Sequence, residues 1–290
     1  MSVELDSNIP KFPPRDHDAH KGSVGRLMIV GGRFDNVGMV GAPALAANAA
    51  FRAGVGLVQI LTPRDAQLAV SLLAPCATTR VMEKGDEERL AVLAEEFSAD
   101  VMAIGPGLAP VVGPDNMLAL LFAFKGHIVV DADGLNQLAK TKEWHARSPD
   151  QVIVTPHGGE MARLLRGLAI NIDASDRQAG AEALAKATGT VVVLKGAGTI
   201  VTDAQRTYIN RTGHSGMATG GSGDVLTGVI GALVGQGMSA YEAAVLGVYL
   251  HGRAGDLAGQ RLGSMAVTAL DIADALCEAV KQHTAACGCE

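Results

Sequence analysis

The sequence predicts an α/β fold, a mainly parallel sheet covered by helices. Short aliphatic runs recur along the chain with helical patterns between them. Most of these runs stop at glycine, proline or a small polar residue. Parallel strands are covered on both faces, so they read as unbroken aliphatic runs rather than as alternation. Composition agrees: 48% of the 290 residues are hydrophobic, 19% are charged and only 3% are aromatic, which supplies a large aliphatic core. The 36 glycines exceed the usual share of about 7% and imply tight turns and close backbone approaches.

The elements follow in order. Residues 27–30 form a strand that ends at Gly31-Gly32, and an Ala-rich helix is expected over 41–53. Residues 57–61 are the next strand, closed by Thr62-Pro63. Further strands at 101–104, 127–130, 152–154 and 191–194 run into Gly105-Pro106-Gly107, Asp131-Ala132-Asp133-Gly134, Thr155-Pro156-His157 and Lys195-Gly196. The alternation of strand and helix signals βαβ units. After Gly198 the pattern changes to a hairpin, 199–202 with 206–209, and then to a Gly-rich loop over 213–223. Helices are expected over 224–233, 240–258 and 264–281. No linker or repeat divides the chain, so residues 1–290 are read as one domain, with 1–19 and 283–290 as flexible tails.

Composition also excludes several classes. The net charge is −6 and no basic cluster stands out, which argues against nucleic acid or an anionic membrane as partner. The four cysteines show neither zinc spacing nor a disulfide framework, and Cys287-Gly288-Cys289 reads as part of the tail. The His17-Asp18-Ala19-His20 cluster suggests metal only superficially. Residues 1–14 contain no apolar stretch of a signal peptide, and the longest apolar segment, 225–234, is too short to span a bilayer, so a cytoplasmic location is expected. Asn210-Arg211-Thr212 is read as a chance sequon.

The sharpest motif is Ala218-Thr219-Gly220-Gly221-Ser222-Gly223-Asp224, running into an apolar helix. A glycine loop that opens a helix presents unpaired backbone N–H groups to an anion. Asp224 alone reads equally well as an N-cap. Asp131 and Asp133 suit either a helix cap or water-mediated contact with Mg²⁺, and the residues leave both open. By itself, His157 reads as a helix-start histidine.

The Gly-rich segment resembles the signature of ribokinase-like kinases, in which an aspartate is the base. The wider set resembles the ADP/ATP-dependent NAD(P)H-hydrate dehydratases. It comprises His20-Lys21-Gly22, Gly31-Gly32, Gly41-Ala42, Arg52-Ala53-Gly54, Gly105-Pro106-Gly107, the 131–136 run, Thr155-Pro156-His157 with Glu160, 194–199, the Asp224 loop, and His251-Gly252 with Gly255-Asp256. That family often has Pro-Glu where this chain has Pro75-Cys76.

The resemblance implies a three-layer α/β/α fold of the ribokinase type. It implies Asp224 as catalytic base and substrate contact, and Ala42, Gly107 and His157 as further contacts with the hydrated dinucleotide. It places the nucleotide on Lys195, Gly196, Ala197, Gly198, Thr199 and Gly223. The implied reaction is ADP-dependent dehydration of the S-form of hydrated NAD(P)H, with ADP or ATP as co-substrate and Mg²⁺ as cofactor. Metal ligands are unassigned. A homotetramer and a separate epimerase partner are implied as well, because the epimerase domain of some members is not recognisable in this sequence. The alternative is a kinase of the same fold acting on a sugar or vitamin alcohol. A non-catalytic nucleotide binder and a scaffold built on the apolar helices 225–234 and 240–250 are weaker readings.

Overall fold

The computed structural model describes residues 9–83, 85–108, 112–141, 144–145, 150–173 and 176–288. The first half runs β1 (Arg26–Val30), α1 (Gly41–Arg52), β2 (Leu57–Thr62), α2 (Arg64–Leu73), β3 (Thr78–Val81), α3 (Leu90–Phe97), β4 (Val101–Ile104), α4 (Pro114–Ala123), β5 (His127–Val130) and α5 (Ala132–Leu138). The second half runs β6 (Val152–Val154), α6 (Gly158–Gly167), α7 (Arg177–Thr188), β7 (Val191–Leu194), β8 (Ile200–Thr202), β9 (Thr207–Ile209), α8 (Ser222–Gly235), α9 (Ala240–Leu262) and α10 (Ala269–Cys287).

The strands form one sheet in the order β3-β2-β1-β4-β5-β6-β7-β8-β9. Strands β1 to β7 are parallel, and β8 and β9 add an antiparallel hairpin at one edge. Along each central strand, side chains alternate between two cores. Leu27, Ile29, Val101, Ala103, Val129, Ile153, Val191 and Val193 pack under α1, α8, α9 and α10. Met28, Val30, Met102, Ile104, Ile128, Val130, Val152, Val154, Val192 and Leu194 pack under α3 to α7. Both faces are covered, which is why these strands have no polar alternation. The sheet and its two helical layers are the predicted architecture.

Chain order reverses between β1 and β4, so the loops after these strands part and leave a crevice at the carboxyl ends. There Gly31 faces the Pro106 carbonyl so closely that a Cβ would lie 2.2 Å from its oxygen.

Three expectations change. β3, Thr-Thr-Arg-Val, was not foreseen: it is an edge strand paired only with β2, and its mostly polar sequence carries no aliphatic signal. The expected helix 264–281 splits into a short 3-10 turn (Ser264–Ala266) and α10, which starts at a capping box made by Thr268 and Asp271. The expected tails are shorter in the described residues. α10 continues to Cys287, His283 is buried, its Nε2 lies 3.0 Å from the Pro10 carbonyl oxygen, and Ile9 is buried too. Residues 1–8 and Cys289 with Glu290 lie outside the described residues.

Helix α8 is buried from Val225 to Val234 and is wedged between the sheet, α1 and α9. This burial removes the scaffold reading, since that apolar surface is consumed inside the chain. Among the described residues no helix is long and apolar enough to cross a membrane. At Gly228 a Cβ would stand 1.9 Å from the Ala46 carbonyl oxygen of α1. Gly228→Ala should therefore lower stability by about 1–3 kcal/mol, the usual cost of overpacking. An unchanged denaturant midpoint would show that α1 and α8 separate freely.

Candidate functional site

Two strand-end residues, Asp131 and Lys195, meet where α8 begins. Gly221, at φ +90°, precedes the helix, and Asp224 lies in its first turn. Asp224 makes no capping hydrogen bond, so the N-cap alternative for it falls away. The loop is anchored from behind by α9. Asp256 accepts the Gly213 N–H at 3.1 Å, and the His214 imidazole Nε2 lies 2.9 Å from the Gly255 carbonyl oxygen. Gly252 and Gly255 leave room for Thr212 and Met217, whose side chains would lie 2.1 and 2.2 Å from a Cβ. The His251 Nε2 lies 3.2 Å from the Ser222 hydroxyl, and burial pushes His251 down to about 4, so it is neutral at physiological pH.

The charged centre is a buried pair. Lys195, just past β7, places its ammonium 2.6 Å from Asp131 Oδ1, just past β5. The Thr227 hydroxyl of α8 donates to Asp131 Oδ2 at 2.7 Å. Burial would raise Asp131, but the Lys195 charge and the hydrogen bonds outweigh it and hold the carboxyl below its ordinary value. Burial would likewise strip the proton from Lys195, yet Asp131 and Glu160 hold it above its ordinary value. Glu160 Oε2 lies 3.9 Å from the ammonium, and burial raises its carboxyl. The same ammonium meets the helix start, because a Cβ at Gly223 would lie 3.3 Å from Nζ.

Asp224, like Glu160, is raised above its ordinary value. Burial, reinforced by the Asp131 charge and only partly offset by Lys195, pushes it up to about 7. A carboxylate poised near neutrality can take up or release a proton under working conditions.

The other expected residues fall into two groups. Ala42 and Gly107 come together: a Cβ on Gly107, at φ +62°, would lie 3.3 Å from that of Ala42 and 2.7 Å from the Met39 carbonyl oxygen. The loop 195–199 is a turn with Gly196 and Gly198 at φ +141° and +61°, and Thr199 donates to the Gly196 carbonyl at 3.0 Å. Arg177 holds this turn from α7 by donating to the Ala197 carbonyl at 2.7 Å. His157 is the N-cap of α6: its Nδ1 accepts the Gly159 N–H at 3.0 Å, and Glu160 accepts the His157 N–H at 2.8 Å. That is the local role the residues alone favoured, although its ring is still exposed. Asp133 sits in the first turn of α5, where Asn136 donates to it at 3.3 Å. Cys76 lies exposed in the turn between α2 and β3. Asn210 is buried and donates to the Val248 carbonyl at 3.1 Å, a structural role for the sequon asparagine.

Sequence reasoning gave no role to Thr227, Ser222, Glu160 or Arg177. Thr227 follows Asp224 by three residues, the spacing that puts both on one helix face. Glu160 follows His157 by three, the capping-box spacing. Nothing in the chain links Arg177 to the turn it braces.

The value for Asp224 fixes a stability signature. Its folded-state value lies above the ordinary one, so its ionisation opposes folding above about pH 7 and ceases to do so as pH falls toward 4. Asp224→Asn should melt above wild type at pH 8 by up to a few kcal/mol, at about 1.4 kcal/mol per pH unit of displacement, with the gain nearly gone at about pH 4. Equal melting temperatures across that range would show a solvated carboxylate.

A sequence model of NAD(P)H-hydrate dehydratase matches residues 27–278. The bifunctional NAD(P)H-hydrate repair enzyme of Moorella thermoacetica is 42% identical, covering 92% of this chain and 51% of its own length. The chain thus spans about half the length of that relative. The ADP-dependent (S)-NAD(P)H-hydrate dehydratase of Neisseria meningitidis is 37% identical, covering 87% of this chain and 83% of its own. Among solved structures, the ADP/ATP-dependent NAD(P)H-hydrate dehydratase of Bacillus subtilis, co-crystallised with ATP/Mg²⁺, superposes with a TM-score of 0.80 at 29% identity, covering 96% of this chain and 100% of that one. A family match over most of the chain, close relatives and a shared fold lead to one assignment: this chain belongs to the NAD(P)H-hydrate dehydratase family.

Proposed function

We propose that the protein restores NADH or NADPH from its hydrated S-form, using ADP and releasing AMP and phosphate. The observation that carries this reading is a half-buried carboxylate poised near pH 7, Asp224, near the Lys195 ammonium at a glycine-lined helix start. The Neisseria relative, named for this reaction, supports it.

Hydroxide is a poor leaving group at neutral pH. In the proposed sequence Asp224 takes the proton of the substrate hydroxyl while that oxygen attacks the terminal phosphorus of ADP and the P–O bond to AMP breaks. The phosphorylated oxygen then departs as phosphate with the C–O electron pair. A proton is lost from the neighbouring carbon, and the ring double bond returns. The helix-start N–H groups and Lys195 face the negative charge of the moving phosphoryl group. The turn Lys195, Gly196, Ala197, Gly198 and Thr199, with Gly223, takes the nucleotide. Ala42, Gly107 and His157 take the hydrated dinucleotide, with small residues letting the backbone approach a flat ring.

Mg²⁺ belongs to the proposal as a companion of the nucleotide. Among the described residues no group of three or more His, Cys, Asp or Glu is placed to hold a metal. That suits an ion carried mainly by phosphate oxygens and water, where it would neutralise phosphate charge. A homotetramer, and an epimerase activity that supplies the S-form, complete the reading; light scattering checks the first.

The test is to mix protein, Mg²⁺ and hydrated NADH with ADP or ATP and follow the dihydronicotinamide absorbance. Absorbance should return with nucleotide and not without it. A phosphorylated alcohol accumulating in place of NADH would establish the kinase alternative. Asp224→Asn should cut turnover by about 10²–10⁴-fold, the usual worth of a general base. Near-normal turnover in that variant would remove Asp224 from the role.

A further inference from the structure

We propose that Asp131 is a positioning residue, a clamped carboxylate that sets where the Lys195 ammonium stands at the start of α8 and thereby shapes the surroundings of Asp224. The catalytic part of this inference rests on the dehydratase reading; the clamp itself does not.

Each oxygen of Asp131 has its own donor, Lys195 at 2.6 Å and Thr227 at 2.7 Å. Thr227 lies on the same helix as Asp224, three residues on, so the clamp ties the end of β5 directly to the helix that carries the proposed base. The backbone of Asp131 is confined as well. A Cβ on Gly105 would lie 1.8 Å from the Asp131 carbonyl oxygen, and Ala132 is held at φ +46°, which non-glycine residues rarely adopt. Lysine is a flexible stem ending in a point charge, so its ammonium needs a fixed partner to occupy one place. Glu160 is a more distant second partner at 3.9 Å, itself held by the His157 N–H. Three donors on the ammonium leave capacity for a phosphate while Asp131 is kept.

The charges bearing on Asp224 are therefore fixed. Asp131 acts against its ionisation and Lys195 favours it. Glu160 faces the ammonium from α6, with the His157 ring 3.4 Å from it, and His251 behind Ser222 is neutral. Opposite substitutions at the two ends of the clamp must then move Asp224 in opposite directions. A pair whose charges stood too far from Asp224 to act on it would move it in neither.

The experiment titrates the Asp224 carboxyl by carbon-13 NMR in the free full-length chain, the signal being identified by its loss in Asp224→Asn. Asp131→Asn should lower the midpoint by about one pH unit or more, and Lys195→Gln should raise it. A midpoint that stays put in Asp131→Asn, or moves the same way in both variants, overturns the proposal. This readout needs no substrate, so it stands even if hydrated NADH proves not to be turned over by wild type. Where turnover is present, Asp131→Asn should lower kcat by about 10–100-fold with KM for ADP changed less than about threefold. Should either charge variant fail to fold, Thr227→Val removes one hydrogen bond alone. It should lower kcat by about 3–10-fold, or, without turnover, shift the Asp131 carboxyl signal, and an unaffected kcat and signal overturn the clamp.

Discussion

Everything at the carboxyl edge of this sheet is arranged around one buried ion pair, Lys195 with Asp131. Removing two charges from water is expensive, and a buried pair persists only where geometry is good and the remaining polar atoms are satisfied. Here Thr227 satisfies the second carboxylate oxygen. The pair joins the ends of β5 and β7, strands that are not neighbours because β6 lies between them. Through Thr227 it also reaches α8, which is buried from Val225 to Val234. Glycine at 105 and 223 follows from this, since the first must admit the Asp131 backbone and the second the Lys195 ammonium.

The electrostatic division of labour is equally dependent on it. Three carboxylates lie near one ammonium: Asp131, its direct ion-pair partner, is held below its ordinary value, whereas burial raises Glu160 and pushes Asp224 up to about 7. A chain of net charge −6 is an unlikely-looking host for a polyphosphate until the local groups are considered. In the proposed reading, helix-start N–H groups and a single fixed ammonium would provide the attraction without a basic surface. The neutral imidazole of His251 supports Ser222 without adding another charge.

The strands of the sheet centre were legible because covering both faces leaves nothing but aliphatic side chains, as in Val191 to Leu194. Edge strand β3 was not, since a strand with one neighbour and partial exposure carries no such constraint. The placement of Asp224 at a helix start was legible from glycine preceding an apolar run. Its elevated proton affinity was not, because that arises from burial and from Asp131, 93 positions earlier in numbering and adjacent only in space. Asp131 itself stayed ambiguous between cap and ligand for the same reason: its true partners, Lys195 and Thr227, lie on other elements. His157 shows the converse case, where purely local chemistry, a side chain closing on the N–H two residues ahead, was readable from its place before a helix.

The glycines inside α8 and α9 carry a consequence for how such a protein diversifies. Gly228 rests on the backbone of α1, Gly231 on Leu27 of β1, and Gly247 of α9 on Ile230 of α8. Gly228 meets main chain, and Gly231 and Gly247 meet buried side chains, so added bulk along the middle of α8 has little room. In the loop after β1, over 33–38, Phe34 and Val37 stand exposed. A change of shape at the crevice is therefore accommodated more readily at that rim than in the middle of α8.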